Sequence, residues 1–209
     1  EFPTSPYAEK VSSYLVEVYM NTRSYDAALK SIDRIAKPSA QILEAKQKIL
    51  FQLGTQSFAN ADFEQALKYL NHSIAIGQYN RQTKADAYYW CGESYYRLSR
   101  MVEAARDFNA YLQLTTQPNN EMYALANYNL GYIAFHRKDY TQASNYFQKY
   151  VQLEKGENAT ALADAYNRIG DCHLHVRNFE EAKQYYSQAE QMNTSSGDYS
   201  FYQLALVSG

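Results

Sequence analysis

The chain is poor in residues that interrupt a backbone, with 8 glycines and 4 prolines among 209 residues. Long regular elements are therefore expected rather than a loop-rich fold. It also lacks a charge excess of either sign: 20 Lys and Arg stand against 22 Asp and Glu, and the isoelectric point is near 6.1. Nothing in that balance supports nucleic-acid binding by phosphate neutralisation, and there is no acidic tail. No apolar run approaches the roughly 20 residues that a membrane-spanning helix needs. The opening residues, EFPTSPYAEK, have neither the charged nor the apolar region of a signal peptide, although one could have been removed. Phosphate-binding glycine loops, nucleophile elbows and HExxH zinc motifs are missing too. Neither catalysis nor a cofactor is expected.

What is present is aromatic and repetitive. Tyrosine occurs 22 times, and its apolar body with a polar tip suits both half-wet packing seams and binding surfaces. Four stretches align without a gap: FQLGTQSFANADFEQALKYL from Phe51, YWCGESYYRLSRMVEAARDF from Tyr89, YNLGYIAFHRKDYTQASNYF from Tyr128, and NRIGDCHLHVRNFEEAKQYY from Asn167. Gly54, Gly92, Gly131 and Gly170 recur every 38 or 39 residues, and Ala66, Ala104, Ala143 and Ala182 follow each glycine by twelve. A fixed period of this length marks stacked structural repeats. Cys91 and Cys172 lie two repeats apart, too far to be bridged where repeats touch only their neighbours, and both read as small buried residues.

Within each copy apolar residues fall at three- and four-residue spacing on both sides of a short turn. Asn127, Leu130 and Ala134 precede the turn in one copy, and Tyr140, Ala143, Phe147 and Tyr150 follow it. Two amphipathic helices per copy result. Asp62, Asp139 and Asn178 stand where a side chain caps the second helix, with Gln65, Gln142 and Glu181 three residues on; Arg100 breaks the rule, leaving Ser99 as the expected cap. The small glycine and alanine let the two helices approach closely. An earlier copy, SYLVEVYMNTRSYDAALKSI from Ser13, keeps Ala28 but has Val16 at the glycine place, so a looser end unit is expected. The same step reaches Gly209, which places the chain end inside the first helix of a sixth copy and suggests a fragment of a longer protein.

These copies strongly resemble the tetratricopeptide repeat over about residues 9–209, with a longer period than that family's usual 34 residues. The added residues lie ahead of each first helix, where Asn80, Asn119 or Asn120, and Asn158 or Thr160 can cap an extra turn. The resemblance implies an all-α, right-handed superhelix of antiparallel helix pairs. It would form a single array over 1–209, with repeats at about 9–46, 47–84, 85–123, 124–162 and 163–201, then a further first helix from 202 to 209. Spacing of this kind is similar to that in many bacterial members, cytoplasmic or periplasmic.

In the family, first helices line the concave face, at places three before, one after, four after and five after the glycine. The matching residues here include Phe51 and Phe58; Tyr89, Glu93, Tyr96 and Arg97; and Tyr128, Tyr132, Phe135 and His136. This aromatic band with a few charges suits an extended peptide or a partner's helix. The residues four after the glycine are equally suited to packing between adjacent repeats. The family's carboxylate clamp of Lys, Asn and Arg is missing, which disfavours peptides read by their C-terminus. Cys172, His173 and His175 lack a fourth ligand at a recognisable spacing, and His173 points away from the other two on a helix. Asn71, Asn158 and Asn193 head glycosylation-type triplets of the sort that arise by chance in an Asn-rich chain. The expected role is a non-catalytic scaffold binding a protein or peptide. The alternatives are a sensor module of a larger protein and a carbohydrate-binding module with open tyrosines. Dimers through tyrosine-rich seams or an unpaired last helix are plausible.

Overall fold

The computed structural model describes residues 6–192, 194, 195 and 197–208. Among these residues it forms eleven helices and no strand, the all-α helical-repeat class expected. Five antiparallel pairs run in order: α1 (Pro6–Asn21) with α2 (Tyr25–Ile32), α3 (Ala40–Ala59) with α4 (Phe63–Ile76), α5 (Arg81–Arg97) with α6 (Met101–Leu114), α7 (Glu121–His136) with α8 (Tyr140–Leu153), and α9 (Ala159–His175) with α10 (Phe179–Gln191); α11 (Gly197–Ser208) follows. The expected sixth glycine place, Gly209, and Asn193, which heads one triplet, fall outside the described residues.

Helix ends follow from side-chain chemistry. Asn80, Asn120 and Asn158 each accept a hydrogen bond from the backbone N–H three residues on, that of Thr83, Tyr123 and Ala161, so the longer period is spent on extra N-terminal turns of first helices. Ser39 does the same for α3 through Ile42. The repeat limits expected at 46/47, 84/85, 123/124, 162/163 and 201/202 therefore fall inside helices α3, α5, α7, α9 and α11, and the junctions lie several residues earlier. Asp62 and Asp139 cap α4 and α8 as anticipated. Asn178 makes no such bond. Ser99 is not a cap either: it sits at φ +59° in the left-handed region, and Arg100 takes the cap position with its guanidinium on Glu103 instead.

That left-handed residue recurs at the same place in every pair. Arg23, Ala61, Ser99, Lys138 and Arg177 all have φ between 55° and 63°, each seven residues after the glycine place. The N–H of the following residue reaches back five residues in each case, as from Asp139 to the carbonyl of Ala134, which closes the first helix with a Schellman motif.

The packing divides into two compact units, Glu1–Thr116 and Gln117–Gly209. In the first, α1 lies on α2, α2 on α3, α3 on α4, α4 on α5 and α5 on α6; in the second, α7 lies on α8, α8 on α9, α9 on α10 and α10 on α11. Each recurrent glycine serves one contact. A Cβ on Gly54 would meet Leu70 at 2.6 Å, on Gly92 Phe108 at 2.8 Å, on Gly131 Phe147 at 2.8 Å, and on Gly170 Tyr186 at 2.6 Å. The notch on the first helix thus receives a large side chain four residues beyond the alanine of the second. The first repeat solves the same problem differently: Val16 replaces glycine, its counterpart is the shorter Ile32, and both are buried in one cluster with Ala28, Ile42, Ile49 and Leu53. The two side chains are complementary at this point, yet α1 and the short α2 pack on each other less extensively than the later pairs do, the looser end unit that Val16 suggested.

Candidate functional site

In the first unit the aromatic places on α3 and α5 are only partly open. Phe51 and Phe58 are half-buried, and the Phe58 ring meets Phe63 and Trp90 edge-on with centroids at 5.3 and 4.9 Å. Four-after residues therefore pack between neighbouring repeats here. Tyr89 departs furthest from the expected groove: it is 4% exposed, its ring is edge-on to Trp90, Phe108 and Tyr111, and its hydroxyl donates to Glu93 Oε1 at 3.2 Å. Three residues before Gly92, it lies beside the ring that fills the glycine notch, so it belongs to the core. Tyr96 stays half-buried, its phenol pushed up by burial and then by the charge of Glu93, with Arg97 opposing. Arg97 is exposed in the last turn of α5.

The second unit brings its candidates together. Tyr128 donates to Asp164 Oδ2 at 2.7 Å, and the Tyr132 hydroxyl donates to the same oxygen. Both phenols are pushed well above their ordinary range, first by burial and then by Asp164. Arg168, one turn along α9 from Asp164, places Nε 3.8 Å from Asp164 Oδ1 and Nη1 2.9 Å from Asp171 Oδ2. The Asp171 Oδ1 atom accepts from Tyr186 and from Tyr199 of α11, each at 2.7 Å. The Arg168 guanidinium also lies over the rings of Tyr199 and Phe135, at 5.0 and 5.9 Å. Tyr199 is pushed up to about 12 by burial and then by its bond to Asp171. Two carboxylates, one guanidinium and four phenols thus form a continuous network over α7, α9, α10 and α11.

Phe135 is half-buried beside this network, edge-on to Tyr140 and His175, while His136 is exposed one residue further. His175 stacks on Tyr140 at 4.2 Å and His173 stacks on Tyr185 at 5.4 Å, so the two imidazoles diverge to different helices. No group of three or more His, Cys, Asp or Glu is placed to hold a metal among the described residues. The Cys91 and Cys172 thiols are buried and their pKa values are raised chiefly by that burial, Cys172 to about 12, which makes both inert as nucleophiles at neutral pH.

Trp90, Asp164 and Arg168 were outside the set read from the sequence. Asp164 stands six before Gly170 and Arg168 two before it, places the family pattern did not mark. A charged pair four residues apart on a predicted first helix was the available signal. The structure adds a depression of about 550 Å³ between α1 and α3, floored by Val16 and Ile42 and edged by Lys10, Tyr14, Glu17 and Lys48. No helix among the described residues is long and apolar enough to cross a membrane.

Comparison with known proteins agrees with the fold. Several solved structures are similar. The MamA protein shares 18% identity at a TM-score of 0.61, over 93% of this chain and 97% of that one. BtubC (BKLC) from P. vanneervenii shares 16% at 0.60, over 96% and 82%. YrrB, described as a TPR protein with an unusual peptide-binding site, shares 16% at 0.59, over 85% and 82%. At such identities the likeness speaks to fold alone. A search of curated proteins found no match. Models described as "Tetratricopeptide repeat" match residues 51–121 and 121–195. With five helix pairs in one register, each closed by the same turn, the chain belongs to the tetratricopeptide repeat family.

Proposed function

We propose that this protein is a non-catalytic interaction scaffold that takes a peptide or partner segment on the faces of its first helices. Family membership and the fold support the scaffold role. The observation that carries the finer reading is the second unit's network. Tyr128 and Tyr132 are held by Asp164, and Phe135 lies under Arg168, so an aromatic surface is fixed in place before any ligand arrives. Side chains already ordered lose little rotamer freedom on binding, which leaves most of the contact energy for affinity. Exposed His136, with Arg168 part-exposed, supplies polar edges that would orient the segment. On the first unit, half-buried Phe51, Phe58 and Tyr96 with exposed Arg97 are the corresponding contacts.

The test is selection of peptides from a display library against the whole chain, followed by mapping on isotope-labelled protein. Shifts centred on α7 and α9, with His136→Glu and Phe135→Ala each weakening binding by about tenfold, are expected. Circular dichroism first verifies that both variants fold like the parent. Peptides that bind both variants as tightly as the parent, or whose shifts lie away from the first helices, would overturn the reading. Tyr89 is unsuitable as a probe because replacing it removes core volume.

A further inference from the structure

The outward face of α1 breaks the rule that the rest of the fold obeys. At five before and one before the glycine place, the other first helices bury their side chains, Ile49 and Leu53 on α3, Ala87 and Cys91 on α5, Ala165 and Ile169 on α9; at two after, Ser94 of α5 and Cys172 of α9 are buried while Gln56 of α3 is exposed. In each case the second helix of the preceding repeat lies against that helix. The same places on α1 hold Val11, Leu15 and Val18, which are 56%, 40% and 52% exposed, and Tyr14 beside them is 59% exposed. A helix face that meets water is normally polar. A stripe of four large apolar side chains at i, i+3, i+4 and i+7 instead marks an interface.

The charges along that stripe indicate what covers it. Lys10 and Glu17, seven residues apart, flank it on one edge, with Lys10 towards the N-terminal end and Glu17 towards the C-terminal end; both are exposed. A two-fold axis across α1 would set Val11 of one copy against Val18 of the other and Tyr14 against Leu15. It would also bring Lys10 to the second copy's Glu17 twice. A surface complementary to itself in both shape and sign is the requirement for an isologous dimer. We infer that α1 is a homodimerisation helix, pairing antiparallel with α1 of a second copy of this chain. This inference is independent of the peptide surface on α7 and α9.

Sedimentation equilibrium of the whole chain over about 1–200 µM, with a charge-reversal cycle, tests it. The parent should show a monomer–dimer equilibrium that weakens with added salt. Lys10→Glu and Glu17→Lys should each raise the dissociation constant by about fivefold or more, and the double reversal should return it to within about twofold of the parent, because the pair is re-formed with its signs exchanged. Leu15→Glu should leave a monomer. All three substitutions are at exposed positions, so circular dichroism should report an unchanged fold. A parent that stays monomeric across the range would overturn the inference. So would a dimer that survives Leu15→Glu, or reversals that do not compensate. If the parent is monomeric but a synthetic peptide of the α4 sequence binds α1, the face belongs to an amphipathic partner helix instead of a second copy.

Discussion

Replacing Gly92 tests the central packing device where the protein has its own reporter. The ideal Cβ of an alanine there would stand 2.8 Å from Cδ1, 2.9 Å from Cε1 and 3.0 Å from Cγ of Phe108. Phe108 is fully buried and its ring is held edge-on by Tyr89, so it has no free direction in which to retreat. Overpacking of this kind costs about 1–3 kcal/mol, and the better helix propensity of alanine returns about 1 kcal/mol. Gly92→Ala should therefore be destabilising by up to about 2 kcal/mol, and Gly92→Val by more, since its two methyls enter the same ring. Phe108→Ile alone should cost about 1–3 kcal/mol through the space left behind. The double variant copies the natural Val16 and Ile32 arrangement, so its loss should fall short of the summed single losses by at least about 1 kcal/mol. Urea unfolding followed by fluorescence reads this unit selectively, because the protein's one tryptophan, Trp90, is packed on Tyr89 and Phe58. Additive losses, or an alanine variant stabilised by its full propensity gain, would refute the notch-and-ring account.

Three further outcomes follow from local structure. Lys138→Gly removes a side chain from φ 62°, where an L residue carries a strain of about 1–2 kcal/mol, so thermal melting should show a stabilised protein despite glycine's entropy; a lower melting temperature would contradict it. Asn158→Ala should cost about 1 kcal/mol by losing its bond from the Ala161 N–H, whereas Asn178→Ala, at a cap without such a bond, should change urea stability by only a few tenths. Burial raises the Asp107 pKa above the ordinary carboxylate range, with Arg106 opposing, so the folded state holds this proton to higher pH than the unfolded chain. Stability is then lost as pH climbs from about 3.9 through the raised value, and Asp107→Asn should be more stable than the parent at pH 7 and show a flatter stability profile between pH 4 and 7.

Much of the local architecture was legible because it depends on contacts close in sequence. The 38- or 39-residue recurrence of glycine and alanine gave the helix pairs, and asparagines ahead of the first helices marked their true starts. The caps at Asn178 and Ser99 were misread because residue type alone does not set backbone conformation; Ser99 is held left-handed by the Schellman turn that closes α5. Val16 shows the limit of reading one position by itself. Taken alone it spoils a glycine notch, and only its juxtaposition with Ile32 shows that bulk has moved from one helix to the other.

The site was less legible than the fold. Period and family pattern told which residues lie on first helices, but a first helix has several faces in contact with different neighbours. Tyr89 and Tyr128 occupy the same register place, yet one is core and donates to Glu93 on its own helix, while the other reaches across to Asp164 on the next first helix. What decides between them is which carboxylate a phenol can reach, and Asp164 is 36 residues from Tyr128. The sequence by itself determined the helical periodicity, the repeat and the seam of small residues, since these follow from side-chain spacing along one chain. Tertiary structure alone decided which aromatics are buried, how Arg168 links Asp164 and Asp171, and that the apolar stripe of α1 stands uncovered, since burial and charge pairing depend on residues brought together from distant repeats.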